Sequence, residues 1–469
     1  MEATSLAFKD NARRAIADPV LQQALSLAKS GFQEKRRAAA ERLPEFEALR
    51  DQAKAIKDHT LAHLDLYLEA FEQRVIEQGG KVHWARDAAE ARAVVLRLCK
   101  GAGARAVTKS KSMVAEEIGL NETLEANGIR RVETDLGEYI VQLAGETPSH
   151  ILAPAIHMTK DRISALFAEH HGTSPVDEPQ ALLAEARREL RQRYFEADVG
   201  ITGANFLVAE TGSVVLVTNE GNAELTQGLP KIHIVIASLE KVVPTFEDAC
   251  TLLRVLARSA TGQEFAAYTT VLTGPKRPAD LDGPTSFHVI LLDNGRSAMI
   301  GSEFQDILRC IRCGACMNHC PIYLTTGGHA YGWVYPGPMG AVLTPNFIGI
   351  EQAHHLPSAS TFCGRCEQVC PVRIPLPKMM RHWREQQFAK GLSPPVGRYG
   401  TRLWAFVAKR PALYHAGARI AIGLLGRWGR QTGRFRKLPL AGGWTGSRDF
   451  PAPQGATFQA LWRARGKQR

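Results

Sequence analysis

Cys310-Ile311-Arg312-Cys313-Gly314-Ala315-Cys316-Met317-Asn318-His319-Cys320-Pro321 is answered downstream by Cys363-Gly364-Arg365-Cys366-Glu367-Gln368-Val369-Cys370-Pro371. The first run has the spacing C-x2-C-x2-C-x3-C-P, in which three close thiolates hold corners of one 4Fe-4S cube and the fourth reaches a second cluster. Applied to both runs, that exchange assigns Cys310, Cys313, Cys316 and Cys370 to one 4Fe-4S cluster and Cys320, Cys363 and Cys366 to another. Ser360 stands where the second run would have its first cysteine, so this second cluster is a ligand short. Ligation by Ser360, an open iron and a three-iron 3Fe-4S form are the alternatives. Paired C-x2-C loops also hold structural zinc, but zinc needs four tetrahedral ligands, and a third cysteine followed by a C-P ending fits it poorly. The two remaining cysteines, Cys99 and Cys250, are isolated and read as small buried apolar residues.

Outward from these runs, 469 residues with 45% apolar composition are enough for two or three domains with real cores. Residues 1–78 are expected to form a helical N-terminal arm, with two long helices over about 20–78 broken near Pro44. From Lys81 short units alternate: strand 81–85, helix 87–101, strand 105–109, helix 113–127 and strand 129–134. A helix over 178–198 leads to apolar runs at 201–217, 232–236 and 288–292, with a helix over 246–260. Strands alternating with helices imply an α/β domain with a parallel sheet, taken as 79–300. The cluster module is expected over 301–377, with a shaped Gly- and Pro-rich loop, Gly327 to Pro338, between the cysteine runs. Helices over 378–390 and about 402–427, then an irregular end, make up a C-terminal region, 378–469.

That last region holds the positive charge. The chain is +11 overall, yet from Arg373 onward twenty Lys and Arg face two acids, Glu385 and Asp449, so the rest is net negative. Five of seven tryptophans lie there, Trp383, Trp404, Trp428, Trp444 and Trp462, interleaved with arginine. Docking on an acidic protein partner or on an anionic membrane face explains such a tail. Without a recognition motif, nucleic acid is not the expected partner. With no signal-peptide pattern and no apolar run of bilayer length, the expected location is cytoplasmic, peripheral to the inner membrane face if the tail binds lipid.

Two clusters side by side favour one-electron transfer, and Arg309, Arg312 and Arg365 would raise their potential if turned inward. An open iron could instead act as a Lewis acid in a non-redox lyase, or the clusters could be structural parts of a scaffold. In the α/β domain, Thr108-Lys109-Ser110-Lys111-Ser112 follows a strand and precedes a helix, where two lysines and a helix start could hold a carboxylate or phosphate. Ser112 with Glu116 reads equally as an ordinary helix cap. Glu210, between a strand and Gly212, and the pair His150 and His157 are further candidates for binding or proton transfer. Lys109, His157 and Glu210 are thus the catalytic candidates. The chain has neither G-x-G-x-x-G nor a P-loop, so nothing specific supports a nucleotide site.

Cys310 through Pro321, the Gly327 to Pro338 loop and Cys363 through Pro371 together resemble the lactate-utilisation protein B family of bacterial iron–sulfur proteins. Gly203-Ala204-Asn205-Phe206 to Glu210-Thr211-Gly212-Ser213 resembles the domain naming that family, a relative of the NagB/RpiA/CoA-transferase-like (sugar-phosphate isomerase) α/β fold. The resemblance covers nearly the whole chain. It implies an electron carrier in oxidation of L-lactate to pyruvate, working with a cysteine-rich A-type protein and a C-type protein; membrane quinone is one acceptor to which the clusters could pass electrons. It carries the cluster ligands onto all seven cysteines and implies that a three-cysteine second run is usual.

Overall fold

The computed structural model describes residues 3–439 and 441–466, the side chains of 27–30 and 466 excepted. The end of the basic tail, 467–469, lies outside them. Two compact units divide the chain, one ending at Gln387 and the other starting at Phe388.

Among the described residues the first unit has ten strands: β1 (Lys81–Ala85), β2 (Ala106–Lys109), β3 (Arg130–Glu133), β4 (Val199–Thr202), β5 (Phe206–Val208), β6 (Ser213–Thr218), β7 (Ile232–Ser238), β8 (Val242–Val243), β9 (Tyr268–Leu272) and β10 (Ser286–Leu292). Six of them make a parallel sheet in the order β1-β10-β7-β4-β2-β3, with Val289 opposite Val235 and Ile201 opposite Ile234. Its inner strands are nearly continuous aliphatic runs because both faces are covered. On one face Val107, Ile201, Ile234 and Ile290 meet Val94, Val95, Leu120 and Leu124 from helices 88–101 and 120–126. On the other, Val235, Val289 and Leu291 pack with Phe71, Val75, Leu207 and Val214.

Leu207 and Val214 belong to a second sheet, β8-β5-β6-β9, mostly antiparallel. The apolar run 201–217 therefore does not simply resume the first sheet: it splits after β4 into a hairpin. The turn is at Gly212, whose φ is +69 and where a Cβ would come within 2.6 Å of the Val75 amide nitrogen. Only glycine combines that conformation with that close approach.

The N-terminal segment breaks near Pro44; after a first helix, Phe8–Ala17, the pair expected over about 20–78 is three among the described residues, Pro19–Glu41, Phe46–Ala62 and Leu64–Glu77. Asp18 caps Pro19–Glu41 through the Val20 and Leu21 amides, with Pro19 at its first position. The helix expected over 113–127 is two, Met113–Glu117 and Leu120–Ala126, because Gly119 takes a left-handed conformation between them. Helices Leu136–Leu143 and Lys160–His171 add to those read from the pattern.

In the second unit, the helix expected over 402–427 is Pro395–Ala408 followed by Pro411–Trp428, Pro411 starting a new helix where it could not continue the old one. Neither buries a residue; Val396, Leu403, Trp404, Ile420 and Leu424 are exposed. The end is not wholly irregular: Arg434–Phe435 pairs with Phe450–Pro451, and Phe458–Gly466 is helical. Among the described residues no helix is long and apolar enough to cross a membrane.

Candidate functional site

The two cysteine loops repeat each other at an offset of 50, Cys313 to Cys363. Arg312 and Phe362 both have positive φ, 59 and 53, and Gly314 and Gly364 follow at 71 and 79. One-turn helices Ala315–Asn318 and Arg365–Gln368 come next, opened by Met317 N–H to Gly314 C=O at 3.0 Å and Glu367 N–H to Gly364 C=O at 3.1 Å. Non-glycine residues with positive φ cost about 1–3 kcal/mol each, so the same pair at both loops marks a conformation imposed by the site. Amides point at sulfur in both: Ala315 to Cys313 and Arg365 to Cys363, Ile322 to Cys320 and Val372 to Cys370, with Ile374 N–H to Cys370 Sγ at 3.4 Å. In this repeat Ser360 takes the place of Cys310. Its Oγ accepts the Phe362 N–H at 3.1 Å.

Cys310, Cys313 and Cys316 line one cavity together with Cys370 of the second loop, closed by Met339, Ile374 and Leu376. Burial pushes the Cys313 thiol up, and Cys370 and Cys310 push it further; Cys316 is raised by burial and then by Cys310, Cys313, Cys366 and Cys370. Burial and Cys363 raise Cys320, while burial, Cys320 and Cys363 raise Cys366 to about 12. Cys363 is exposed, and hydrogen bonds from the Arg365 amide and Thr361 lower its thiol. The thiols thus form a four around one cavity and a shallower three that includes the exposed Cys363. Such crowded thiols resist ionising by themselves; a soft cationic core makes them thiolates, so this donor set fits iron–sulfur clusters.

The surrounding charges fit too. Arg296 bonds Glu117 through both Nη atoms at 2.9 and 2.7 Å and approaches Glu240 at 2.9 Å without hydrogen-bond alignment. Arg312 Nη2 reaches Glu240 at 3.2 Å, and Tyr335 donates to Glu117 at 2.6 Å. Lys57 donates to the Glu240 carbonyl, and Lys241 lies beside it. Burial first, and then the nearby Arg312, push both lysines down to about 8. Four buried cations therefore surround two buried carboxylates, and Lys57, Lys241 and Arg312 all feel the Cys310 charge. A thiolate-ligated cluster, with more negative charge on its ligands than its core returns, offsets part of that excess. Of the arginines beside the cysteines, Arg312 belongs to this buried network, and Arg365 acts on Cys363 from the surface. Arg309 pairs with Asp58 and Asp306, and Arg365 is exposed and bonds Gln368.

Helices Pro19–Glu41 and Phe46–Ala62 hold the loops from outside. Arg50 donates to the Gln368 and Cys370 carbonyls at 2.6 and 2.8 Å, Arg36 to Val369 at 3.0 Å, and Gln33 to Asn318 at 2.9 Å.

Beyond Arg312 a cleft of about 240 Å³ opens at the carboxyl ends of β2, β4 and β7, where open sheets bind ligands. Lys111, Asn205, Glu220, Lys241 and Arg312 line it, and Ile151 and Arg312 also line the cysteine cavity.

The candidates read from sequence do not converge there. Lys109 is fully buried and enclosed by Glu116 and Glu133 at 3.0 Å and Glu138 at 3.8 Å, which outweigh its burial and raise its pKa. The expectation of two lysines free for an anion is corrected accordingly; Lys111 faces the cleft but pairs with Asp135 at 2.6 Å. Ser112 accepts the Ala115 N–H as a helix cap. Glu210 is exposed and accepts the Phe246 N–H at 3.0 Å, satisfying an orphan amide of helix Phe246–Ala260. His157 lies elsewhere, between Ser149 at 2.9 Å and Glu146 at 2.7 Å. His150 donates from Nε2 to Asn318 and accepts the Leu152 and Ala153 amides at Nδ1, and burial holds it at about 4. It ties the 149–153 loop to the cysteine helix. Cys99 is in the core; Cys250 is half-buried. Glu117, Glu240, Lys241 and Arg296 were not singled out from sequence. Glu240, Lys241 and Arg296 are marked only as ionisable residues soon after an apolar strand, and Glu117, at the end of helix Met113–Glu117, lacks even that signal.

Three family models match the chain: LUD domain over 68–292, 4Fe-4S dicluster domain over 306–374, and Lactate utilisation protein B, C-terminal over 373–467. A "Lactate utilization protein B" of Oceanobacillus iheyensis is 42% identical, covering 98% of this chain and 97% of its own. One of Macrococcus caseolyticus is 43% identical over 96% of both. "Uncharacterized electron transport protein YkgF" of Escherichia coli is 42% identical over 97% of this chain and 96% of its own. A solved DUF162 family protein of Deinococcus radiodurans aligns with 49% of this chain and 98% of its own at 16% identity and a TM-score of 0.28, too low to transfer a fold.

Proposed function

The chain belongs to the lactate utilisation protein B family, and from that premise we propose that it is the iron–sulfur electron-transfer subunit of a system oxidising L-lactate to pyruvate. The observation that carries this reading is the gathering of Cys370 with Cys310, Cys313 and Cys316 around one cavity while Cys320, Cys363 and Cys366 share a second neighbourhood. The first four would hold one 4Fe-4S cluster, and the second three a neighbouring cluster with its fourth corner at Ser360. When bound, such clusters supply one-electron transfer. The chain's own residues orient amides at the sulfurs, exclude water from the first site and offset its charge through Arg312.

The working division is a helical arm over 1–78, an α/β domain of the sugar-phosphate isomerase and CoA-transferase-like kind over 79–300, the cluster module over 301–377 and a docking region over 378–469. Exposed Leu403, Trp404 and Ile420 among arginines support a contact surface for A- or C-type partners or for a membrane carrying a quinone acceptor. Exposed Cys363 beside Ser360 favours, as a second reading, an open iron with Lewis-acid chemistry.

Anaerobic EPR with iron and sulfide counting, followed by L-lactate addition with the partner proteins, tests the proposal. Two cluster signals that reduce during turnover support it; clusters that stay oxidised throughout would sink it. Activity of the isolated chain without an acceptor would favour the open iron.

A further inference from the structure

We propose that the cleft at the carboxyl ends of β2, β4 and β7 binds a small 2-hydroxy- or 2-oxo-monocarboxylate, its carboxylate between Lys241 and Arg312, and so brings the organic substrate to the wall of the first cysteine site. This deepens the electron-transfer reading and rests on it.

Lys241 carries the inference. It is 6% exposed, lines the cleft, and makes no hydrogen bond or ion pair among the described residues. The other two buried lysines are both engaged: Lys57 by the Glu240 and Val242 carbonyls, Lys109 by three glutamates. A largely buried lysine whose ammonium has neither a carbonyl nor a carboxylate within hydrogen-bond reach, set in the wall of a built cleft, favours an anion there.

Arg312 is an independent second observation. Its side chain is 10% exposed, Nη2 is engaged by Glu240, and Nη1 is buried with no hydrogen-bond partner. The same side chain borders both the cleft and the cavity of Cys310, Cys313, Cys316 and Cys370.

The acids in the cleft do not take these cations. Asp135 is held by Lys111 and accepts the Glu138 N–H at 3.1 Å, and Glu220 accepts the Leu136 N–H at 3.1 Å. Asn205, whose Oδ1 accepts the Val217 N–H at 2.9 Å, keeps its side-chain NH2 for an oxygen on the ligand's second carbon. Leu152, Leu216 and Ala257 supply an apolar wall for a short alkyl end. Two cations, one amide donor and an apolar wall match a carboxylate with a neighbouring oxygen and a small side chain.

The test uses the full-length protein purified anaerobically with its clusters. Iron and sulfide counts and EPR on each sample establish the clusters first, so their absence would refute the electron-transfer reading separately from the cleft. L-lactate, pyruvate and propionate are then titrated by calorimetry. Lactate and pyruvate should bind, propionate at least tenfold more weakly, and lactate should alter one of the two EPR signals. Lys241→Met should weaken lactate at least tenfold and abolish that EPR change with cluster content intact. Ala266→Trp, at the half-buried cleft wall, should block binding without altering charge. No heat from lactate or pyruvate on cluster-loaded protein, propionate binding as tightly as lactate, or unchanged affinity in both variants would each overturn the proposal.

Discussion

Glu240→Gln removes one negative charge from the buried network while keeping the side chain's shape. Glu240 is 2% exposed and faces Arg296 at 2.9 Å and Arg312 at 3.2 Å. Burial works against its ionisation, but Arg296, Arg312 and Lys241 outweigh that and hold the carboxyl at about 2, against an ordinary 4.5. At about 1.4 kcal/mol per pKa unit, the gap corresponds to about 3 kcal/mol of stability. Because the folded pKa is depressed, that stability is fully present above about pH 4.5 and is lost as pH falls toward 2. At neutral pH the variant should therefore lose about 3 kcal/mol, in line with the roughly 3–5 kcal/mol for removing one partner of a buried ion pair. Anaerobic urea unfolding of the two proteins, compared at equal slope, measures it. A difference below about 1 kcal/mol would refute the claim that Glu240 holds the two guanidiniums in place. The variant should also raise the reduction potential of the cluster nearest Cys310, since local positive charge favours the added electron.

Cys370→Ala should erase the EPR signal of the cluster proposed at Cys310, Cys313 and Cys316, and Cys320→Ala that of the cluster proposed at Cys363 and Cys366; the opposite pattern would show that the runs do not exchange their fourth ligands. Ser360→Cys should supply a fourth thiolate to the shallower site, seen as a gain of iron per chain or a lower potential for that cluster; no change in either means the position is out of reach. Gly212→Ala should destabilise by about 1–3 kcal/mol from its positive φ alone, more with the 2.6 Å approach to Val75, read by the unfolding midpoint.

Those parts that depend on neighbours in sequence were legible. Cysteine spacing is a local property of a loop, and parallel strands buried on both faces announce themselves as apolar runs such as Ile232 to Ser238. The second sheet was hidden because β8 has two residues and β9 is largely exposed, so neither carries a pattern. Lys109 and Lys111 looked alike as a pair. One faces a carboxylate cage and the other the cleft: Lys109 is the last residue of β2, whereas Lys111 lies past its end, where strand alternation no longer sets the side chain's direction. Lys241 could not be singled out, since its significance lies in partners that the folded chain withholds. Composition misled about the tryptophans: Trp383 is buried, stacked on Phe304 and bonded to Val342, whereas Trp404, Trp428, Trp444 and Trp462 are exposed.

The hold of Arg36 and Arg50 on the carbonyls around Cys370 bears on biogenesis. These arginines leave the ribosome more than three hundred residues before the loop they clamp. The cysteine sites can be finished only after nearly the entire first unit has been made and its two ends have met. Metal loading is in that sense a late maturation step, and a chain cut short before Cys370 would carry Cys310, Cys313 and Cys316 as exposed, unfinished thiols, a target for oxidation and turnover.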